Sequence, residues 1–191
     1  MESILAWDRD TQRMIEGLSG GWLDAPMMVL STLGFFVPVL LVAWVWLVLR
    51  GGPLGRGLAL VAVAMVVITD QGSAAILKPL IGRPRPHSPA PGFPSSHASN
   101  LFAQAMLFSR CYPRLTPILF TIATLTGFSR VYLGKHYPLD VLAGAFFGVG
   151  CGWVAAHWLR GHLEITEAIW SRIASRLPAS WAARIQAEPR D

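Results

Sequence analysis

Residues 25–49 carry no Asp, Glu, Lys, Arg or His at all. A helix that crosses a bilayer needs about 20 mostly apolar residues, so this stretch is long enough to span. Asp24 stands where a cap would, and Pro26 falls in the first turn, where a missing N–H costs little. Four further apolar runs follow. Gly57–Leu77 is broken only by Asp70, a third run extends over about 95–112, Leu115–Leu133 is the fourth and Val141–Leu159 the fifth. In the fifth, Gly144, Gly148 and Gly152 recur every four residues, a spacing that lets a neighbouring helix come close. Only 14% of the chain is charged, against roughly 25% in soluble domains. Five such runs in 191 residues leave too little polar surface for a water-soluble core. The fold class expected is therefore all-α, a polytopic membrane bundle of about five transmembrane helices.

The first 18 residues differ. Ile4, Trp7, Met14 and Leu18 recur at helical spacing with Asp8, Arg9, Asp10, Arg13 and Glu16 between them, which predicts an amphipathic helix lying on the membrane surface. It lacks the basic start and continuous apolar centre of a signal peptide. After Arg160 a second stripe appears at Ile165, Ile169, Ile173 and Leu177. The organisation expected is an interfacial helix over 1–24, a transmembrane domain over 25–160 and an amphipathic tail over 161–191. The loops at Arg50–Arg56 and Arg110–Arg114 share one side and hold four arginines, whereas residues 1–24 sum to −3. The positive-inside bias then puts the arginine loops and the C-terminus in the cytoplasm, and the loops around 78–97 and 130–140 outside. The net charge of +5 does not point to nucleic acid, because the basic residues fall in short clusters between apolar runs. Cys111 and Cys151 read as small buried hydrophobes, not a disulfide framework.

The two outer loops are themselves basic, against that bias, as they would be if their cations bind an anion. The first holds Lys78-Pro-Leu-Ile-Gly-Arg-Pro-Arg85-Pro86 and Pro94-Ser95-Ser96-His97; the second follows Ser129-Arg130 with His136 and Asp140. Arginine forks match phosphate oxygens bidentately, and lysine adds a point charge. Ser95 and Ser96 precede a helix whose free N–H groups favour an anion. Asp140 lies four residues after His136, placed to accept from one ring nitrogen and leave the other as a nucleophile. His97 opens the third run, free to move a proton. Arg83 and Lys135 read equally well as cations snorkelling from span ends, Asp70 as a helix–helix counter-ion with Gln71 and Ser73, and His87 as a solvated loop residue.

Lys-x6-Arg-Pro, Pro-Ser-x-His and Ser-Arg-x5-His-x3-Asp, in this order over 78–140, resemble the three signature motifs of the type-2 phosphatidic acid phosphatase superfamily. The resemblance implies hydrolysis of a lipid phosphate or diphosphate at the outer leaflet of a bacterial-type cytoplasmic membrane. It implies roles as well. Lys78, Arg85 and Arg130 clamp phosphate with Ser95 and the backbone at Ser96; His136 attacks phosphorus and becomes a phosphohistidine; Asp140 orients His136; His97 protonates the leaving oxygen and then activates water. Ser96 is a departure, since the family most often has glycine there. No Asp/Glu cluster is present to hold magnesium, so neither metal nor other cofactor is expected. The partners expected are the lipid substrate and the bilayer, with no nucleic acid and no obligate protein. Family frequency ranks undecaprenyl diphosphate first, then phosphatidylglycerol phosphate or phosphatidic acid, then a lipid A phosphate. Two other readings compete: a polyisoprenoid-lipid transporter or flippase, and a non-catalytic lipid-phosphate binder.

Overall fold

The computed structural model describes residues 2–32, 34 and 37–174. Eight α-helices run in the order α1 (Glu2–Glu16), α2 (Asp24–Ser31), α3 (Val37–Arg50), α4 (Gly52–Gln71), α5 (Lys78–Ile81), α6 (Ser96–Cys111), α7 (Thr116–Tyr132) and α8 (Pro138–Ala174). A π-helical segment, Gly72–Leu77, joins α4 to α5, and a two-stranded antiparallel hairpin, β1 (Pro84–Arg85) with β2 (Ser88–Pro91), lies between α5 and α6.

The first apolar run is not one helix. It divides into α2 and α3, and Thr32 closes α2 in an extended conformation. Gly34 is a poor helix former, and Pro38, the second residue of α3, cannot donate back to the preceding turn. Asp24 does not cap α2 either. It is that helix's first residue, and its carboxylate accepts from the Tyr132 hydroxyl at 2.6 Å and from the Gly20 N–H at 3.1 Å. Two helical rods among the described residues are long and apolar enough to cross a bilayer, Gly52–Ile81 and Pro138–Glu164; α3 is a shorter apolar helix. Of the five spans read from hydropathy, these two meet that test of length and composition among the described residues. α8 passes residue 160 without a break. The side chains of 165–174 and all of 175–191, where the tail stripe was expected, lie outside the described residues.

The outer surface is apolar: Phe146 is 78% exposed, and Leu60 and Val42 each 70%. Exposed apolar area on this scale is matched by lipid, not water. The inner seam joins α4, α6 and α8, where Leu58, Ala62, Met65, Ala103, Leu107, Ala156 and Leu159 pack. Toward the site the seam turns polar: Ser73 Oγ donates to the Thr69 carbonyl at 2.6 Å and meets Ser99 Oγ at 3.4 Å, and Thr69 Oγ1 bonds Asn100. Ser73 is therefore not the expected partner of Asp70.

The glycine stripe of α8 faces α6. A Cβ at Gly144, Gly148 or Gly152 would lie 2.5, 2.2 or 2.3 Å from the carbonyl oxygen of Ser95, Ser99 or Ala103 respectively. Those oxygens are backbone, so they cannot step aside as a side-chain tip would. Gly148→Ala is expected to cost about 1–3 kcal/mol through overpacking, read as a fall in the midpoint of thermal unfolding in detergent. The same change at Gly150, where a Cβ meets nothing within 4 Å, is expected to leave that midpoint in place.

Candidate active site

The rod of α4, the π-helical segment and α5 carries Lys78, α6 departs from Ser95, α7 ascends to Arg130, and α8 departs from His136 and Asp140. One end of the bundle therefore gathers chain segments far apart in sequence. Ser95 is the N-cap of α6, and its N–H donates to the Asp140 carbonyl at 2.9 Å, which joins the first turns of α6 and α8. Beyond α7 the chain reverses at Gly134, whose φ of +61° suits glycine. The N–H groups of Lys135 and His136 then both donate to the Arg130 carbonyl, at 3.0 and 3.2 Å. This turn sets His136 beside Arg130. Asp140, in the first turn of α8, accepts the Tyr137 N–H at 3.0 Å through Oδ2, as the acidic member of a capping box does.

His136 is 2% exposed and Asp140 not at all. His136 Nδ1 stands 3.5 Å from Asp140 Oδ2, an ion-pair distance too long for an ordinary hydrogen bond. This arrangement turns Nε2 away from the carboxylate. Lys78 Nζ donates to Ser96 Oγ at 2.8 Å, so the hydroxyl that replaces the usual glycine is a fixed partner for that cation. Arg130 Nη1 is anchored by the Ser31 hydroxyl at 2.7 Å and carbonyl at 3.2 Å, and Lys135 Nζ reaches the same hydroxyl at 3.3 Å. His97 lies within electrostatic reach of Arg130, His136, Lys135 and Lys78; Arg85 lies within reach of Lys78, Arg130, Lys135 and His136. All eight residues singled out in the sequence stand at this end of the bundle.

The charges do not balance. Asp140 Oδ1 is bonded by Arg83 at 3.1 Å, and Arg83 also pairs with Asp8 and stacks 4.2 Å from the Tyr137 ring centre. Lys78, Arg85 and Arg130 have no carboxylate ion partner among the described residues. Burial pushes the His136 imidazole below the ordinary histidine range; Arg130 and Arg85 push the same way, against the upward pull of Asp140. The ring is therefore held neutral, the form that carries a nucleophilic lone pair. Burial, with Arg130 and Arg85, likewise lowers Lys135.

Besides His136 Nδ1, three buried donor atoms here have no partner: Arg85 Nε, Arg130 Nε and Ser95 Oγ. Polar atoms buried without partners are costly and call for an explanation. These three come from different elements, Arg85 on the hairpin, Arg130 on α7 and Ser95 at the start of α6, and Arg85 and Arg130 lie within electrostatic reach of His136. Asp70 stands half-buried on the rod below, within electrostatic reach of Lys78.

Sequence reasoning missed Asp8, Arg83, Ser31 and Lys135 as parts of this end. Each acts across a long separation: 75 residues between Asp8 and Arg83, 57 between Arg83 and Asp140, 99 between Ser31 and Arg130. No local spacing encodes those pairs. His87, expected to be solvated, is exposed yet bonds Glu16 of α1 at 2.8 Å. Among the described residues no three His, Cys, Asp or Glu side chains are grouped to hold a metal ion.

A family model described as the PAP2 superfamily matches residues 57–163. The chain is 33% identical over 127 residues to a lipid A 4'-phosphatase of Bacteroides thetaiotaomicron, covering 54% of this chain and 56% of that protein. It is 32% identical over 97 residues to an undecaprenyl-diphosphatase of Bacillus subtilis, covering 48% of this chain and 49% of that one. The chain thus spans about half the length of these curated relatives. Its fold is that of a transmembrane PAP2-type phosphatidylglycerolphosphate phosphatase from Bacillus subtilis, with a TM-score of 0.64, 24% identity, and 86% of this chain and 88% of that one covered.

Proposed function

Since this chain belongs to the PAP2 superfamily, we propose that it hydrolyses a lipid-borne phosphate or diphosphate by way of a phosphohistidine at His136. The observation that carries this reading is the set of unpartnered donors, Arg85 Nε, Arg130 Nε and Ser95 Oγ, at the same end of the bundle as a buried imidazole. A phosphoryl group satisfies those donors and meets the uncompensated charge of Lys78, Arg85 and Arg130. Phosphoryl transfer asks a protein mainly for positioning and charge stabilisation, and three fixed cations supply both without a metal.

In the first step the lone pair on His136 Nε2 attacks phosphorus. The bond from phosphorus to the lipid oxygen breaks, and His97 gives that oxygen its proton. Asp140 stabilises the positive charge that appears on the phosphorylated ring. In the second step His97 takes a proton from water, the water oxygen attacks phosphorus, and the P–N bond breaks. Phosphate leaves, and both histidines return to their starting forms.

The lipid part rests on position. The cluster sits where two apolar rods end, and α1 lies over it with Ile4, Trp7, Met14 and Leu18 more than half exposed. An amphipathic helix so disposed lies in the plane of the interface with its apolar face in lipid. A headgroup then enters from the side while its tail stays in the bilayer. The arginine-rich loops at the other end support, by the positive-inside bias, an extracytoplasmic cluster. The named activities of the relatives, on lipid A and undecaprenyl diphosphate, belong to this same chemical class.

The test is phosphate release in detergent, with a chelator present, from lipid A, undecaprenyl diphosphate, phosphatidylglycerol phosphate and a soluble aryl phosphate. At least one lipid is expected to be cleaved at a rate the chelator does not change, and faster than the soluble ester. Loss of turnover under chelation would contradict the metal-free mechanism, and no release from any lipid would contradict the activity.

A further inference from the structure

Asp8 is fully buried although, of the other acids on its amphipathic helix, Glu2 and Asp10 are exposed and Glu16 is half-buried. Both of its oxygens are engaged at the cluster: Oδ1 accepts the Leu139 N–H at 2.9 Å, in the first turn of α8, and Oδ2 pairs with Arg83. The Arg83 fork is thereby divided between two carboxylates, with Nη2 on Asp8 and Nη1 on Asp140. Arg83 is no part of the Lys-x6-Arg-Pro pattern, and Asp8 lies outside the residues the family model matches. Neither forms a hydrogen bond with Arg85 Nε, Arg130 Nε or Ser95 Oγ.

The charges of this triad have a consequence for His136. Asp8, Arg83 and Asp140 together sum to one negative charge. Without Asp8, Arg83 would cancel Asp140 outright, and the carboxylate beside His136 would lose most of its pull on the ring. We propose that Asp8 is a positioning residue of this site: delivered by the N-terminal helix, it occupies half of Arg83 so that Asp140 keeps its charge for His136. The inference rests on the phosphatase reading for its functional meaning. Its electrostatic content concerns His136 directly.

The groups facing His136 are Asp140 on α8, Arg130 on α7, His97 on α6, Arg85 on the hairpin and Lys135 in its own loop. None of these groups is itself altered by substitution at Asp8 or Arg83. The experiment is an NMR titration of the His136 ring nitrogens in the full-length protein in detergent, for the wild type, Asp8→Asn, Arg83→Gln and the double variant. Asp8→Asn adds a net positive charge and is expected to lower the midpoint by at least about 0.5 pH unit; Arg83→Gln removes one and is expected to raise it by a similar amount. The double variant restores the net charge and is expected to return the midpoint to that of the wild type. With a cleaved lipid, Asp8→Asn lowers kcat by about tenfold and leaves KM nearly unchanged, since Asp8 does not touch phosphate. A helix that merely braces the fold would lower the unfolding temperature and leave the midpoint in place. An unmoved midpoint in Asp8→Asn, or shifts of the same sign in both single variants, would overturn the proposal. A wild type that titrates as expected but cleaves no lipid would count against the phosphatase reading alone.

Discussion

Replacing His136 with alanine lowers phosphate release by about 10⁴-fold or more, the scale on which loss of a nucleophile acts. The chain is expected to stay folded. The ring makes no hydrogen bond through Nδ1, and Asp140 keeps its bonds to Arg83 and to the Tyr137 N–H. The cations are untouched, so the variant still binds the lipid phosphate. Equilibrium binding of a fluorescent lipid phosphate, run beside phosphate release, separates the two effects. Retained binding with lost turnover is the expected pair of results. Turnover within tenfold of the wild type would remove His136 from the chemistry.

Arg85→Ala is expected to reduce kcat/KM by about 10²–10³-fold, the usual loss for one donor aimed at developing charge. Arg85 is a cleaner probe than Arg130, because Arg130 also holds Ser31 of α2 through two hydrogen bonds, and its removal would loosen α2 as well. Arg85→Lys restores the charge but not the planar fork, so it is expected to recover only part of the loss. Kinetics on a single cleaved lipid check this. If lysine recovers full activity, Arg85 acts as a point charge and not through its orphaned Nε.

The residues gathered at the site were readable in the sequence because each set is short-range. Lys78 and Arg85 are seven apart, Ser95 and His97 adjoin a helix start, and His136 and Asp140 are four apart across the start of α8. That the last apolar helix admits a close neighbour was readable for the same reason, as a four-residue glycine repeat; that the neighbour is α6 was not. The break in the first apolar run was not, since hydropathy averages over Gly34 and Pro38 and sees only the apolar total. Trp44 donates from Nε1 to the Ala59 carbonyl at 2.9 Å and ties α3 to α4. The sequence shows that an indole is amphipathic, not which neighbour will take its N–H. For α1 the amphipathic pattern was visible but the destination of its polar face was not. Asp8 and Glu16 read as members of the polar face, yet Asp8 is buried and Glu16 holds His87. A helical period tells which side chains share a face; contacts spanning 75 residues decide what that face meets.

The claim on which the rest depends is that phosphorus becomes bonded to one ring nitrogen. A ³²P-labelled lipid substrate, a rapid base quench and peptide mapping test it directly. Label that survives base, is lost in acid and lies on the peptide containing His136 is the result predicted. Label on another residue, or steady turnover in an enzyme that lacks His136, would contradict it.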